Sequence, residues 1–188
     1  MNLVAATTGH AGRLSRLRDR GAAAGGLEEV SLVRRYVDAL DRELRRLGVD
    51  FLPLSDGEYS AQWARADAAG ARVYLNCHVN AGGGNRGEIL YDHRSPRGRA
   101  LAEHVAAELD GVVPWPVYVR AARPDDDGEP RDEDYSEGYA CIAGVRAVAL
   151  CVEPYFIDGP QVAWFVAHLD EVGAAIARGV AAWLKVAA

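Results

Sequence analysis

The run Val-Tyr-Leu-Asn-Cys-His-Val-Asn-Ala, residues 73 to 81, constrains the fold more than any other stretch of the chain. It opens on apolar, β-prone residues, the pattern of a strand buried on both faces of a parallel sheet. Polar residues then take over, and Gly82-Gly83-Gly84 follow. His78 therefore stands at the carboxyl end of a strand. In open α/β sheets ligands bind at that edge, because the loops leaving the strand ends converge there on a rigid support. One histidine beside apolar residues is more often a hydrogen-bonded part of the scaffold than a ligand. Two further polar strand ends shift that balance.

The first is Leu3 to Thr8, a short β-branched and apolar strand ending in Gly9-His10-Ala11-Gly12. The second is Ala147 to Val152, which runs straight into Glu153. Further strands are predicted at Val49 to Leu54, Gly87 to Tyr91 and Tyr139 to Ile142. The clearest helix begins at Leu27, where Val30, Val33, Val37, Leu40, Leu44 and Leu47 recur at intervals of three and four until Gly48 stops it. A short helix from Tyr59 to Ala69 turns Trp63 and Ala66 inward. Ser95-Pro96 opens another whose Leu101, Val105 and Leu109 face the core. A long closing helix from about Pro160 carries Phe165, Leu169, Val172, Ile176 and Leu184 on one face. This alternation predicts an α/β fold with a mostly parallel sheet. The segment Arg13 to Gly26, with arginines at 13, 16, 18 and 20, reads as a loop over the rim of the sheet. Pro114 to Gly138 reads as a mobile lip, in which Asp125-Asp126-Asp127 is a solvated acidic run lacking the spacing of a calcium loop.

At 188 residues the chain is long enough for one sizeable core and short for two, so a single domain spanning 1–188 is expected. Apolar residues make up 49% and charged residues 26%, a globular composition. The net charge of −6, with no Lys/Arg-rich block, argues against nucleic acid as a partner. Met1 is followed at once by Asn2-Leu3-Val4, without a basic n-region or an apolar run of export or bilayer-spanning length. The expectation is a protein that is cytoplasmic as encoded and does not insert into a membrane. The three cysteines, Cys77, Cys141 and Cys151, read as small buried hydrophobes and not as a disulfide framework or a zinc-thiolate site. Strand alternation turns Cys77 away from the strand-end site and Cys151 towards it. His93 and His104 show no partner spacing and read as surface residues.

Glu28 and Glu29 fall in the first turn of the helix from Leu27, where a carboxylate is favoured by the positive end of the helix dipole. Glu29 stands four residues before Val33 and eight before Val37, so it shares their inward stripe, whereas Glu28 lies about 100° off it. Two histidines, one inward glutamate and a second strand-end glutamate can therefore meet in one crevice. Neutral imidazoles and a carboxylate form the ligand set of catalytic zinc sites, leaving a separate glutamate free to act as base. The residues lie far apart in sequence and no HExxH motif is present.

With these residues in place the chain resembles a family, the zinc-dependent N-acetylmuramoyl-L-alanine amidases of the type 3 group. Gly9-His10-Ala11-Gly12, Glu28-Glu29 and Asn76-Cys77-His78-Val79-Asn80-Ala81 carry the resemblance. It continues in Gly87-Glu88-Ile89-Leu90-Tyr91, the leucine-alanine helix after Ser95, and Leu150-Cys151-Val152-Glu153-Pro154-Tyr155-Phe156-Ile157. It spans essentially the whole chain. The resemblance implies a twisted, mostly parallel sheet of about six strands flanked by helices, of the phosphorylase/hydrolase-like kind. It also implies zinc held by His10, one of Glu28 or Glu29, and His78, with Glu153 as the catalytic carboxylate. The inward stripe favours Glu29, while the family's apolar residue five positions later favours Glu28 through Val33; Glu29 is taken, with Glu28 as the alternative. Glu88 matches a glutamate common in the family and equally fits a structural strand-edge role. The family's Asp-Pro-Gly after the first histidine is missing here, replaced by the arginine-rich segment. Gln62 and Asp67 stand where an arginine and an asparagine are usual, and both read as structural.

The activity implied is hydrolysis of the amide between the lactyl group of N-acetylmuramic acid and L-alanine, with peptidoglycan or muropeptide as substrate. The arginines of residues 13–20, and Trp115 or Tyr118 on the lip, are candidates for contacts to peptide carboxylates and sugar faces. Without an export signal, action at the cell wall would need holin-type or other release. A different zinc enzyme, a carboxypeptidase or an amidohydrolase of a small soluble amide, uses the same residues. A non-enzymatic cell-wall-binding or regulatory module has no need of Glu153 beside an intact ligand set.

Overall fold

The computed structural model describes residues 2–11, 19–124 and 135–187. Its centre is a six-stranded sheet in the order β4-β1-β5-β8-β6-β7, where β1 is Leu3–Thr8, β4 Asp50–Leu54, β5 Val73–Cys77, β6 Gly87–Asp92, β7 Val117–Ala122 and β8 Val148–Glu153. β4, β1, β5 and β8 run parallel, while β6 pairs antiparallel with β8 and parallel with β7. The mostly parallel α/β sheet expected from the sequence is present, with one reversal at β8/β6. Because β1, β5 and β8 are adjacent and parallel, the chain leaves all three at the same edge of the sheet. His10, His78 and Glu153 share that edge.

Helices cover both faces. α1 (Glu29–Arg46), α3 (Pro96–Asp110) and α6 (Leu169–Val186) pack on one, with α6 against both of the others. The buried residues of α1, including Leu32, Val33, Tyr36, Val37, Leu40 and Leu44, form the expected stripe and join the main core with Val4, Leu75, Leu150 and Val152 of the sheet. α3 begins as the sequence indicates, with Pro96 in its first turn and the Ser95 hydroxyl accepting from the Gly98 amide at 2.9 Å. α2 (Tyr59–Ala68) and the short α4 (Ser136–Ala140) cover the other face, against Ala5, Leu54 and Tyr74 and against Leu90 and Cys151 respectively. Alternation along the strands decides which face each residue meets, so Cys77 belongs to the first core and Cys151 to the second face.

The close packing of α6 has a testable consequence. A Cβ added at Gly173 would collide with the Tyr36 carbonyl and stand 2.8 Å from the Ala39 methyl. Gly173→Ala is expected to destabilise the protein by about 1–3 kcal/mol through overpacking, although alanine is the better helix former by up to about 1 kcal/mol. Denaturant unfolding measures the difference. Stability equal to or above that of the parent would show that α1 and α6 have slack.

Several expectations need correction. The sixth strand is β7, inside the segment read as a lip, and Tyr139 to Ile142 is not a strand. Those residues complete α4 and a following turn, with the Tyr139 amide bonded to the Tyr135 carbonyl and the Ile142 amide to the Tyr139 carbonyl. The later part of that segment, including Asp125 to Asp127, lies outside the described residues. The rim segment is not all loop, and the first helix starts at Glu29 and not at Leu27: β2 (Ala23–Ala24) and β3 (Leu27–Glu28) form a small hairpin turned by Gly25 and Gly26, with φ of 56° and 81°. Two successive positive φ angles are what a tight hairpin turn requires, and glycine adopts them without steric cost. The closing helix is two helices, α5 (Val162–Ala167) and α6, parted at His168, whose φ of −116° lies outside the helical range. Finally, Trp115 is 4% exposed and donates its indole N–H to the Pro154 carbonyl at 3.0 Å, so it belongs to the core and not to a lip.

Candidate active site

The site is assembled by extending the sheet ladder one residue past the strand ends. The Gly9 amide bonds to the Cys77 carbonyl and the His78 amide to the Val152 carbonyl, both at 2.9 Å. These bonds carry the β1/β5 and β5/β8 pairings into the loops and hold His10 beside His78. A side chain at Gly9 would reach the Cys77 carbonyl at 2.5 Å and the His78 ring at 2.7 Å, so glycine makes room for that imidazole. His10 then turns with φ of 63°, the left-handed region that non-glycine residues seldom enter and that recurs at functional sites. The two rings meet edge to face, 5.1 Å between centroids.

Glu29, the first residue of α1, is 3% exposed and completes the group. Its Oε1 accepts from the Val79 amide at 3.1 Å and lies 2.8 Å from His78 Nδ1; its Oε2 accepts from the Ala22 amide at 2.8 Å and lies 3.5 Å from His10 Nε2. Burial acts to raise its pKa. The hydrogen bond and charge of His78, the charge of His10 and the Ala22 amide outweigh it, and the carboxyl is held below its usual range. Placement at a helix N-terminus acts in the same direction. Glu28 is left outside, with its side chain 38% exposed and bonded to Arg20 at 2.5 Å. One ligand atom from each of His10, Glu29 and His78 lies within 4.8 Å of the others. Two imidazoles and an ionised carboxylate fit zinc in number and kind, and three protein donors leave a position for water.

Two residues that the sequence did not single out steady this group. Asp19 Oδ2 stands 3.0 Å from His10 Nδ1, which leaves Nε2 to face Glu29. Tyr36, fully buried on α1, donates its hydroxyl to the His78 carbonyl at 2.9 Å. A carboxylate behind a ligating histidine fixes its tautomer and its ring orientation. No spacing in the sequence marks either contact.

Glu153 lies in the same cleft, of about 550 Å³, with His10, Glu29, His78, Tyr59, Glu137, Cys141 and Cys151. Burial first, then the charges of Glu88, Glu29 and Glu137, push its pKa up to about 8, against a smaller opposing effect of Arg86. Glu88 is paired with Glu153 across β6/β8 and is 2% exposed. It is held by the Asn80 side-chain amide at 2.9 Å and Arg86 at 2.9 Å. In metal-free protein an unfolded Glu153 ionises near 4.5 while the folded one keeps its proton to about 8. Relative to its value below pH 4.5, stability is therefore lost as pH rises, completely so above about 8. Each intervening unit costs up to about 1.4 kcal/mol, reduced by whatever solvent the cleft admits. Chelator-treated Glu153→Gln is expected to lack that fall and to melt above the chelated parent at pH 8. Thermal melts at pH 5 and 8 check it, and identical pH dependence of the two proteins would contradict it.

The other candidates divide. Arg13, Arg16 and Arg18 lie outside the described residues. Tyr118, 41% exposed on the edge strand, is not among the residues lining the cleft. Gln62 donates to the Gly57 carbonyl and the Asp67 carboxylate accepts from the Arg146 amide, both structural contacts. His93 and His104 bond to backbone carbonyls of Ala122 and Ala100. All three cysteines are free and buried. Cys77 is turned from the cleft towards Tyr36, while Cys141 and Cys151 line it.

No family model matches the sequence, and no curated protein matches it. Solved structures do. The N-acetylmuramoyl-L-alanine amidase AmiC2 of Nostoc punctiforme superposes with a TM-score of 0.79 at 22% identity, covering 98% of this chain and 97% of that one. The N-acetylmuramyl-L-alanine amidase Ami1 of Mycobacterium smegmatis gives 0.73 at 17% identity over 98% and 97%. The CwlD amidase of Clostridioides difficile, solved in complex with the GerS lipoprotein, gives 0.72 at 14% identity over 99% and 100%. Over essentially its whole length, then, the chain has the fold of the N-acetylmuramoyl-L-alanine amidases.

Proposed function

We propose that the protein is a zinc-dependent N-acetylmuramoyl-L-alanine amidase that hydrolyses the amide between the muramic acid lactyl group and L-alanine of peptidoglycan. The observation that carries this reading is the pairing, on an amidase fold, of the His10/Glu29/His78 group with a separate carboxyl, Glu153, in one cleft. His10, Glu29 and His78 hold the metal. When bound, zinc supplies Lewis acidity, lowering the pKa of water and stabilising negative charge on the amide carbonyl oxygen. Asp19 keeps His10 in the tautomer that presents Nε2, and Tyr36 fixes the backbone under His78. Glu153 removes a proton from the attacking water and returns it to the departing amine of L-alanine, because an amine anion cannot leave. A carboxyl whose environment raises its pKa towards neutrality is suited to both transfers. Glu88, on the neighbouring strand and held by Asn80 and Arg86, stands beside Glu153 and opposes its ionisation.

The test is the bond broken. Purified peptidoglycan is incubated with the protein and the newly freed amines are labelled and identified. Free N-terminal alanine on intact stem peptides is expected. Release of a C-terminal amino acid from the stem instead would favour the carboxypeptidase reading, and no release in a zinc-loaded protein would favour a binding module.

A further inference from the structure

The cleft holds a second set of metal-binding residues, which shares His78 with the first and adds two thiols that the proposed reaction does not use. One ligand atom from each of His78, Cys141 and Cys151 also lies within 4.8 Å of the others. Cys141 comes from the turn after α4 and Cys151 from β8, so the two thiols reach the same wall of the cleft from separate elements. Cys151 Sγ is 3.9 Å from Glu153 Oε1. Cys141 donates to the Gly138 carbonyl at 3.0 Å, and the hydrogen bond with Cys141, followed by burial, holds the Cys151 thiol well above its usual range. Cys77, the remaining cysteine, lies beyond reach on the other face of the sheet.

We infer that Cys141, Cys151 and His78 form a second, thiophilic cation site, which takes a soft divalent ion such as cadmium or excess zinc and thereby shuts the cleft down. Two thiolates and an imidazole are a sound donor set for such ions, with Glu153 or water within reach of the fourth position. Binding there releases the two thiol protons to solvent as the sulfurs become ligands. The two sites share His78, and an ion between the sulfurs stands against Glu153. Occupancy of the second site therefore interferes with both halves of the proposed machinery. The inhibitory part of this inference rests on the amidase reading; the binding part does not.

The test is cadmium titration of zinc-loaded protein under a phosphine reductant, followed by ultraviolet absorption and metal analysis. One added ion per chain with a sulfur-to-cadmium charge-transfer band is expected. That band should persist in Cys77→Ser and vanish in the Cys141→Ser/Cys151→Ser double variant, which should keep its resident zinc. Cadmium should abolish amide cleavage by the parent and leave the double variant much less affected. Failure of the amidase reading would remove the activity arm and leave the absorption arm intact. A missing band in the parent, or a band surviving in the double variant, overturns the second site. Resident zinc lost from the double variant but retained by His10→Ala overturns the separation into two sites.

Discussion

Glu153→Gln is expected to keep its zinc and its fold while amide cleavage collapses. The amide is isosteric with the carboxyl, and none of the hydrogen bonds that hold His10, Glu29 and His78 runs through Glu153. What is lost is a group able to accept and return a proton. General acid-base groups contribute about 10²–10⁴-fold, so kcat should fall by that much or more while KM moves far less. The substitution also removes a carboxyl whose burial and acidic neighbours oppose its ionisation, so its structural effect is neutral or favourable. Activity and stability are thus predicted to move in opposite directions. A purely structural carboxylate would have them fall together. Zinc-loaded Glu153→Gln with near-parental turnover would remove Glu153 from the mechanism.

The second large effect separates the two neighbouring glutamates. Glu29→Ala is expected to abolish zinc binding and to lower stability by about 3 kcal/mol or more. Its carboxylate accepts from the buried Val79 amide and the half-buried Ala22 amide and faces both imidazoles. Alanine leaves those donors unpaired, at about 1–3 kcal/mol for each. Glu28→Ala removes an exposed ion pair with Arg20, and exposed pairs contribute about 0–1 kcal/mol. It should keep its zinc and unfold within about 0.5 kcal/mol of the parent. Metal analysis and denaturant melts on the two variants decide between them. The reverse pattern would mean that the helix presents the other carboxylate to the metal.

That glutamate was legible because the apolar stripe of α1 extends back to it, through Val33 and Val37, and the burial of all three follows the same period. His10, His78 and Glu153 were legible for a related reason. Each ends an apolar run, and a residue that ends a parallel strand is delivered to the common edge whatever the order of strands. Asp19 and Tyr36 left no such trace. Their contacts span 9 and 42 residues and depend on how loops and helices settle around the sheet. β7 was missed because prolines and the aspartate run surround it and because an edge strand need not be apolar on both faces. In its place the apolar residues around Cys141 have the pattern of a strand, although they pack as a turn against Leu90 and Cys151. The reversal at β6 did have a signal. No helix intervenes between β5 and β6, whereas parallel neighbours need a long crossover of the kind that α3 supplies between β6 and β7. The soft-metal site combines Cys151, which strand alternation turns towards the cleft, with Cys141, whose strand-like surroundings fold as a turn. Only the folded arrangement brings them together.

The proposed amide hydrolysis depends on a zinc ion held by His10, Glu29 and His78. The direct measurement is an anomalous difference map, recorded on either side of the zinc absorption edge, from crystals of protein purified without added metal. One edge-dependent peak within bonding distance of His10 Nε2, the Glu29 carboxylate and the His78 imidazole is predicted. A peak between Cys141 and Cys151 with none at Glu29, or no zinc signal in protein that still cleaves the amide, would contradict it.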